Sequence, residues 1–141
     1  LGGISGAPYR TLLRDPAVHC GSSLLYTASI HLDNVSVEKS KGSGVLVSCT
    51  KRNTMKNCNV SHSKCSGLIV YNGGLMTIDG SGTTVHHNCT NGGSWNYGLC
   101  TPYHFSSIHL ASSLTVETIS TNNDGGGNFG GEGTIKSVDI L

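Results

Sequence analysis

The stretch that decides the fold is Ser40-Lys-Gly-Ser-Gly-Val-Leu-Val47, which returns after 23 positions as Ser63-Lys-Cys-Ser-Gly-Leu-Ile-Val70. Five of the eight residues are identical. The same register extends to two series of apolar residues, which are Leu32, Met55 and Ile78 in one and Val37, Val60 and Val85 in the other. Internal repeats of roughly 20 to 50 residues are typical of proteins built from stacked, equivalent turns. The sequence therefore predicts a repeat architecture.

Composition limits the partners of the chain. Charged residues make up 12% of the 141 residues and the net charge is +1, which provides no basic surface for nucleic acid. No apolar run approaches the ~20 residues that a membrane-spanning helix needs. We therefore expect neither a nucleic-acid partner nor a membrane span.

The repeat unit is predicted to consist of short strands. Segments such as Ile30-His-Leu32 and Met76-Thr-Ile78 alternate apolar and polar side chains, as a half-buried strand does. Helical periodicity is absent, and corners rich in Gly, Asn and Ser separate the strands. A unit of 23 residues is too short for a β-α-β crossover and suits one coil of a parallel β-helix.

The pattern Asn-x-x-Val-x-x-Ser-x-x-Ser-Gly-[Val/Leu]-x-Val resembles the right-handed parallel β-helix repeats of the pectin-lyase-like superfamily, over Ser29 to Leu110. That superfamily includes polysaccharide lyases, hydrolases, adhesins and large extracellular proteins of eukaryotic microbes. The closing stretch from Ser107 to Ile135 is similar to terminal segments of such microbial surface proteins. The resemblance implies an all-β fold, a right-handed parallel β-helix (solenoid) of about 23-residue coils, four to six in number.

We expect one β-helix domain over residues 1–141. Residues 1–29 would form an N-terminal coil or cap, and residues 30–110 the repeat coils, with an insertion at 90–105. Residues 111–141 would form a Gly-rich closing segment, with a flexible loop around Asp124 and Glu132 rather than a calcium loop. The chain ends in what reads as a strand, so we expect it to be a processed product or part of a longer protein.

The repeated Ser-Lys-x-Ser-Gly segment is predicted to be a corner between two strands. We expect Gly44 and Gly67 to supply the positive φ of the bend, and the Ser hydroxyls to bond to backbone groups there. Equivalent apolar residues would then stack in inward columns about 4.8 Å apart. Beside the two series already given, these columns pair Val45 with Leu68 and Val47 with Val70.

Three N-glycosylation sequons begin at Asn34, Asn59 and Asn88. Together with an even count of six Cys, they predict a secreted, extracellular glycoprotein that carries disulfides. The candidate disulfide cysteines are Cys20, Cys49, Cys58, Cys65, Cys89 and Cys100. Cys65 and Cys89 are one coil apart, whereas a Cys89 to Cys100 bridge would close an insertion, and both pairings stay open. Cys58 falls in an inward column, where a buried thiol is the alternative to a bridge.

Metal, cofactor and catalytic sites are not predicted. His62 and His87 occupy equivalent positions in neighbouring coils, but no third ligand lies in register with them, so we expect a surface ladder. The paired Asp and Arg-x-Lys signatures of pectin-hydrolysing relatives are missing. Glycoside hydrolysis also needs a pair of carboxyl groups, one on each side of the glycosidic bond that is cleaved. We therefore favour a protein without enzymatic activity, and leave an enzyme as an open alternative.

Two functions remain. Trp95, Tyr97 and Tyr103 cluster within the predicted insertion and are the candidate carbohydrate-binding residues; the alternative is that they cover an open side of the core. The leading hypothesis is a secreted structural or surface module. The unpaired ends of such a module would associate end to end into filaments, or continue into a longer β-helical chain.

Overall fold

The computed structural model describes residues 3–4, 18–20 and 29–139. Its elements are short strands and one helical turn: β1 (Gly3–Ile4), β2 (Val18–Cys20), β3 (His31–Asp33), β4 (Ser36–Glu38), β5 (Val45–Ser48), β6 (Asn53–Lys56), β7 (Asn59–Ser61), β8 (Leu68–Tyr71), β9 (Leu75–Asp79), β10 (Thr84–His86), β11 (Tyr97–Cys100), β12 (Ser107–Ala111), α1 (Val116–Ile119), β13 (Ser120–Thr121), β14 (Gly127–Gly130) and β15 (Thr134–Val138). The all-β prediction is confirmed.

The strands form three parallel sheets. The first has the order β1-β3-β6-β9-β12-β15, the second β13-β10-β7-β4, and the third β14-β11-β8-β5-β2. Strands that follow one another in the sequence belong to different sheets, and each pairs with the equivalent strand one repeat later. This arrangement is compatible with a parallel β-helix.

The predicted inward columns are confirmed. Leu32 pairs with Met55, which pairs with Ile78, and all three are at most 1% exposed. The column continues to Leu110, which pairs with Ile78. The other predicted columns are in register and buried in the same way: Val37, Val60 and Val85; Val45 and Leu68; Val47 and Val70. The core is therefore a stack of equivalent apolar positions.

The prediction that Gly44 and Gly67 supply a positive φ is wrong, because neither has one. Among the described residues, positive φ occurs at other corners and mostly at residues other than glycine. One corner carries it at Asn34, Asn57 and Gly80, and a second at Lys39, His62 and His87. Asn accommodates this region better than most residues because its side chain bonds locally to the backbone.

Gly44 and Gly67 are required for a different reason, which is close approach between neighbouring repeats. A Cβ on Gly44 would lie 2.6 Å from Val60 Cγ1 and 2.8 Å from the carbonyl oxygen of Gly67. A Cβ on Gly67 would lie 2.7 Å from both Val85 Cγ1 and the carbonyl oxygen of Gly98. The prediction for the Ser hydroxyls holds at Ser40, whose Oγ donates to the carbonyl of Ser43 at 2.8 Å.

The Gly-rich segment near the C-terminus, for which the sequence predicts a flexible loop, has Asp124 and Glu132 in corners and a strand, β14, between them. β14 pairs with β11, and β15 pairs with β12 over five residue pairs. Asn123 anchors the turn before β14, because its amide nitrogen donates to the carbonyl of Val85 at 3.1 Å. The segment therefore adds a further layer to the first and third sheets.

Candidate functional site

The three predicted aromatic residues line one groove. Its volume is about 490 Å³, and its lining includes Trp95, Tyr97 and Tyr103 together with Glu132. Ligand pockets in proteins usually measure about 300 to 1,000 Å³ and are lined mainly by apolar and aromatic groups. Sequence spacing had placed the aromatics in one segment, and the fold brings their side chains to one concave surface.

The loop that carries Trp95 is held by side-chain amides. Asn91 Oδ1 accepts hydrogen bonds from the Gly93 N–H at 2.9 Å and from Asn96 Nδ2 at 3.2 Å. The carbonyl of Asn96 accepts from the Gly126 N–H at 2.8 Å, which ties the loop to the next layer. These bonds fix the backbone on both sides of Trp95, although its side chain is in solvent.

Tyr97 is the first residue of β11 and is half-buried. Its ring lies against Gly126 and Gly130, where any Cβ would collide with it; at Gly126 a Cβ would be 2.6 Å from Tyr97 Cε1. The backbone N–H of Tyr97 donates to Ser66 Oγ at 3.1 Å. The glycines of the next layer thus make a platform for this ring, and they explain part of the Gly-rich composition there.

The opposite wall of the groove comes from two corners. Tyr103 follows β11, and Glu132 lies between β14 and β15. The Gly133 N–H donates to the carbonyl of Thr101 at 2.9 Å, so the two corners are joined. Glu132 Oε2 lies 3.5 Å from His104 Nε2, and both side chains are more than 60% exposed. Glu132 is therefore a solvent-accessible acceptor at the rim.

The aromatic rings do not serve as a cover for the core. Trp95 is 86% exposed and Tyr103 is 61% exposed, and only Tyr97 is partly packed. Phe105, at 91% exposed, is also in solvent but lies outside the groove lining. Covering the core was the structural alternative for these residues, and it fails for Trp95 and Tyr103.

Three cysteines lie close together below the groove. The pKa of Cys89 is raised to about 12, mainly by burial and then by nearby Cys100 and Cys65. The backbone N–H of Cys89 bonds to the carbonyl of Cys65 at 2.9 Å. Cys89 and Cys100 are thiols in this structure, so both pairings considered from the sequence stay predictions.

The other cysteines do not belong to this group of three. Cys58 is a fully buried thiol whose Sγ donates to the carbonyl of Lys56 at 3.2 Å, and burial raises its pKa. Cys49 is exposed. The backbone of Cys20 pairs with Val47 in the third sheet, but its side chain lies outside the described part of the chain.

The three sequon asparagines differ in their surroundings. Asn34 is exposed and Asn59 is half-buried on the outer face, where its Oδ1 accepts from Thr84 Oγ1 at 2.8 Å. Asn88 is fully buried, and its Nδ2 donates to the carbonyl of Val60 and to Asn123 Oδ1, both at 3.0 Å. An N-linked glycan on Asn88 is incompatible with this arrangement, because the sugar would replace one of those hydrogens inside the core.

The histidine ladder is confirmed and has a third member. The rings of His62 and His87 are stacked at 5.3 Å, and His86 meets His87 edge-on with its Nδ1 2.7 Å from His87 Nδ1. Burial lowers the pKa of His86, and His87 and His62 lower it further. Among the described residues, no group of three metal-ligating side chains is arranged to hold a metal ion.

Sequence reasoning missed two parts of this region. It considered Glu132 only as a calcium ligand, because its place in the groove depends on the pairing of β14 and β15. It also missed the stacked pair Asn88 and Asn123, whose side-chain nitrogens each donate to a backbone carbonyl one repeat earlier. A hint was present, since Asn122, Asn123 and Asn128 surround the Gly-rich turn.

In the described part of the chain, no helix is both long and apolar enough to cross a bilayer. Comparison with family models, with curated proteins and with solved structures finds no match for this chain.

Proposed function

We propose that this chain is an extracellular module with a right-handed parallel β-helix of the pectin-lyase-like type, and that it binds carbohydrate in the groove of Trp95, Tyr97 and Tyr103. One observation carries the binding function: three aromatic side chains of one segment line one concave surface, and two of them are largely exposed. A contiguous exposed patch of large apolar side chains often marks a ligand-binding groove.

The chemistry of the groove suits a sugar. An aromatic face packs against the apolar C–H face of a pyranose ring, while hydroxyl groups of the sugar need acceptors at the rim. Glu132 provides such an acceptor. Among the described residues that line the groove it is the only carboxylate, whereas glycoside hydrolysis needs two. Binding without cleavage is therefore the function that we propose.

The test is a glycan array followed by calorimetric titration of the oligosaccharide that binds. We expect Trp95→Ala and Tyr103→Ala each to weaken binding about 5-fold or more, because stacking of an aromatic ring contributes on the order of 1 kcal/mol or more. Phe105→Ala is the matched control, since it removes an exposed aromatic ring outside the groove. Equal binding by all three variants would contradict the assignment.

End-to-end assembly is the second candidate, and the strand order favours it. Among the described strands, β13, β14 and β15 are the terminal strands of their sheets at the same end, so three outer strand edges lie there. Phe129 is 49% exposed there and borders a depression of about 220 Å³ with Ile135. Parallel strand edges of this kind can pair with another chain, and a heterologous contact that does not close produces filaments.

Assembly is testable without a ligand. The six strands of the first sheet rise over about 25 Å, so filaments of stacked copies should show an axial repeat of about 25 to 30 Å by electron microscopy. Phe129→Lys should abolish the filaments, whereas Phe105→Lys should leave them intact. Discrete particles at every concentration would refute assembly and leave the carbohydrate-binding proposal for the groove unaffected.

We also propose that the chain is secreted and carries glycans on Asn34 and Asn59. Mass spectrometry of the native protein tests for these glycans, which are added along the secretory route.

A further inference from the structure

The groove holds a negative charge among its aromatic rings. Glu132 is the only residue with a charged side chain among the described residues that line it, and its side chain is 66% exposed. No Lys or Arg appears in that lining. A carboxylate only accepts hydrogen bonds, so the described lining offers a ligand an anionic acceptor and no Lys or Arg; His104, whose Nε2 lies 3.5 Å from Glu132 Oε2, is a neighbour outside that lining.

The aromatic faces, like the carboxylate, favour a positively charged ligand. The face of a Trp or Tyr ring is negative because of its quadrupole, and it attracts an ammonium group within about 6 Å of the ring centre. Two of the three rings that line the groove together with Glu132 are available to solvent. Aromatic faces and the carboxylate thus act together on a cationic group, whereas a uronic acid would meet repulsion from both.

Resting on the carbohydrate-binding function proposed above, we infer that the ligand of this groove is an amino sugar with a free, protonated amine, such as a β-linked glucosamine oligomer. The pyranose ring stacks on Trp95 or Tyr103, and its ammonium group donates to Glu132. N-Acetylation of the amine removes the charge, and a hydroxyl in its place keeps only a neutral hydrogen bond. Charge-assisted hydrogen bonds are about twice as strong as neutral ones, so this pairing determines selectivity.

The experiment compares four oligosaccharides of equal length by calorimetry at about pH 6, where an aliphatic amine is protonated. They are oligomers of glucosamine, N-acetylglucosamine, glucose and galacturonate. We expect glucosamine oligomers to bind at least 10-fold more tightly than the neutral pair, and galacturonate oligomers to bind least.

Three variants separate the inference from the function on which it rests. Glu132→Gln should remove the preference for glucosamine oligomers without abolishing binding of neutral sugars. Glu117→Gln removes an exposed carboxylate of α1 outside the groove and should change nothing. Trp95→Ala should weaken binding of charged and neutral sugars alike.

Each outcome is decisive. If Glu132→Gln keeps the preference, or if neutral sugars bind as tightly as glucosamine oligomers, the amino-sugar inference is overturned while sugar binding stands. If glucosamine oligomers bind but Trp95→Ala leaves their affinity unchanged, the attraction is not at the groove, and the inference fails. If no sugar binds at all, both the amino-sugar inference and the proposed carbohydrate-binding function fail.

Discussion

Asn88→Ala should destabilise the fold strongly, although Asn88 reads in the sequence as a surface glycosylation site. The side chain is fully buried and makes three hydrogen bonds. Its Oδ1 accepts from the Ser63 N–H at 3.1 Å, and its Nδ2 donates to the Val60 carbonyl and to Asn123 Oδ1. Alanine would leave the buried Ser63 N–H of the preceding repeat without its side-chain acceptor and would also remove the two hydrogen bonds that Asn88 Nδ2 donates.

The magnitude follows from those three bonds. A buried polar group that loses its partner costs about 1 to 3 kcal/mol and each of the two other lost hydrogen bonds about 0.5 to 1.5 kcal/mol, so the free energy of unfolding should fall by about 2 to 6 kcal/mol. Asn59→Ala is the matched control, because Asn59 is also a sequon asparagine but is half-exposed and bonds to side chains on the outer face. Water can replace those partners, so its cost should stay below about 1 kcal/mol.

The measurement is urea-induced unfolding of the unglycosylated protein, followed by far-ultraviolet circular dichroism. Fluorescence of Trp95 is a poor probe because this side chain is 86% exposed in the folded state. A loss below 1 kcal/mol for Asn88→Ala, or a loss equal to that of Asn59→Ala, would refute the claim that buried amide bonds stabilise this corner.

Three further predictions concern separate features. Gly67→Ala should cost about 1 to 3 kcal/mol in chemical unfolding, because the added Cβ would lie 2.7 Å from Val85 Cγ1; an unchanged unfolding curve would contradict the close approach. The pKa of His86 is lowered in the folded protein, so the unfolded chain binds a proton at this residue at a higher pH than the folded chain does. The free energy of unfolding should therefore fall as the pH drops below about 6.5. His86→Gln should reduce that loss, and an identical pH profile would argue against it. Iodoacetamide should modify exposed Cys49 rapidly in the native protein and Cys89, with its pKa near 12, far more slowly; equal rates by mass spectrometry would contradict the burial of Cys89.

The columns of the core could be predicted because they depend only on the period of the sequence. Val37, Val60 and Val85 share one environment, and the two extra residues before Val85 are absorbed at Gly80, which has a positive φ of 83°. Stacking in a parallel sheet requires each repeat to place a similar side chain at the same position. A pattern of this kind is visible in one sequence without any knowledge of the fold.

The corners could not be predicted in the same way. Gly was expected where the chain turns, but His62 and Lys39 adopt the positive φ, and Gly67 serves close packing instead. A glycine that supplies a positive φ and a glycine that allows close packing cannot be told apart from the sequence. Which role applies depends on the distance between neighbouring repeats, and that distance is a property of the assembled sheets.

The groove lies where the repeat is interrupted, and this has a physical reason. Within a regular repeat each outward position is flanked by equivalent positions of the neighbouring repeats, which favours an even outer face. The insertion that carries Trp95 and Tyr103 breaks this stacking, while β11 keeps Leu99 in register with Leu68. The next layer then contributes Glu132 from the corner between β14 and β15, which is equivalent to the corner between β11 and β12 that carries Tyr103. A regular core and an irregular surface are therefore produced by one chain: the period fixes what must be buried, and a departure from the period forms the groove.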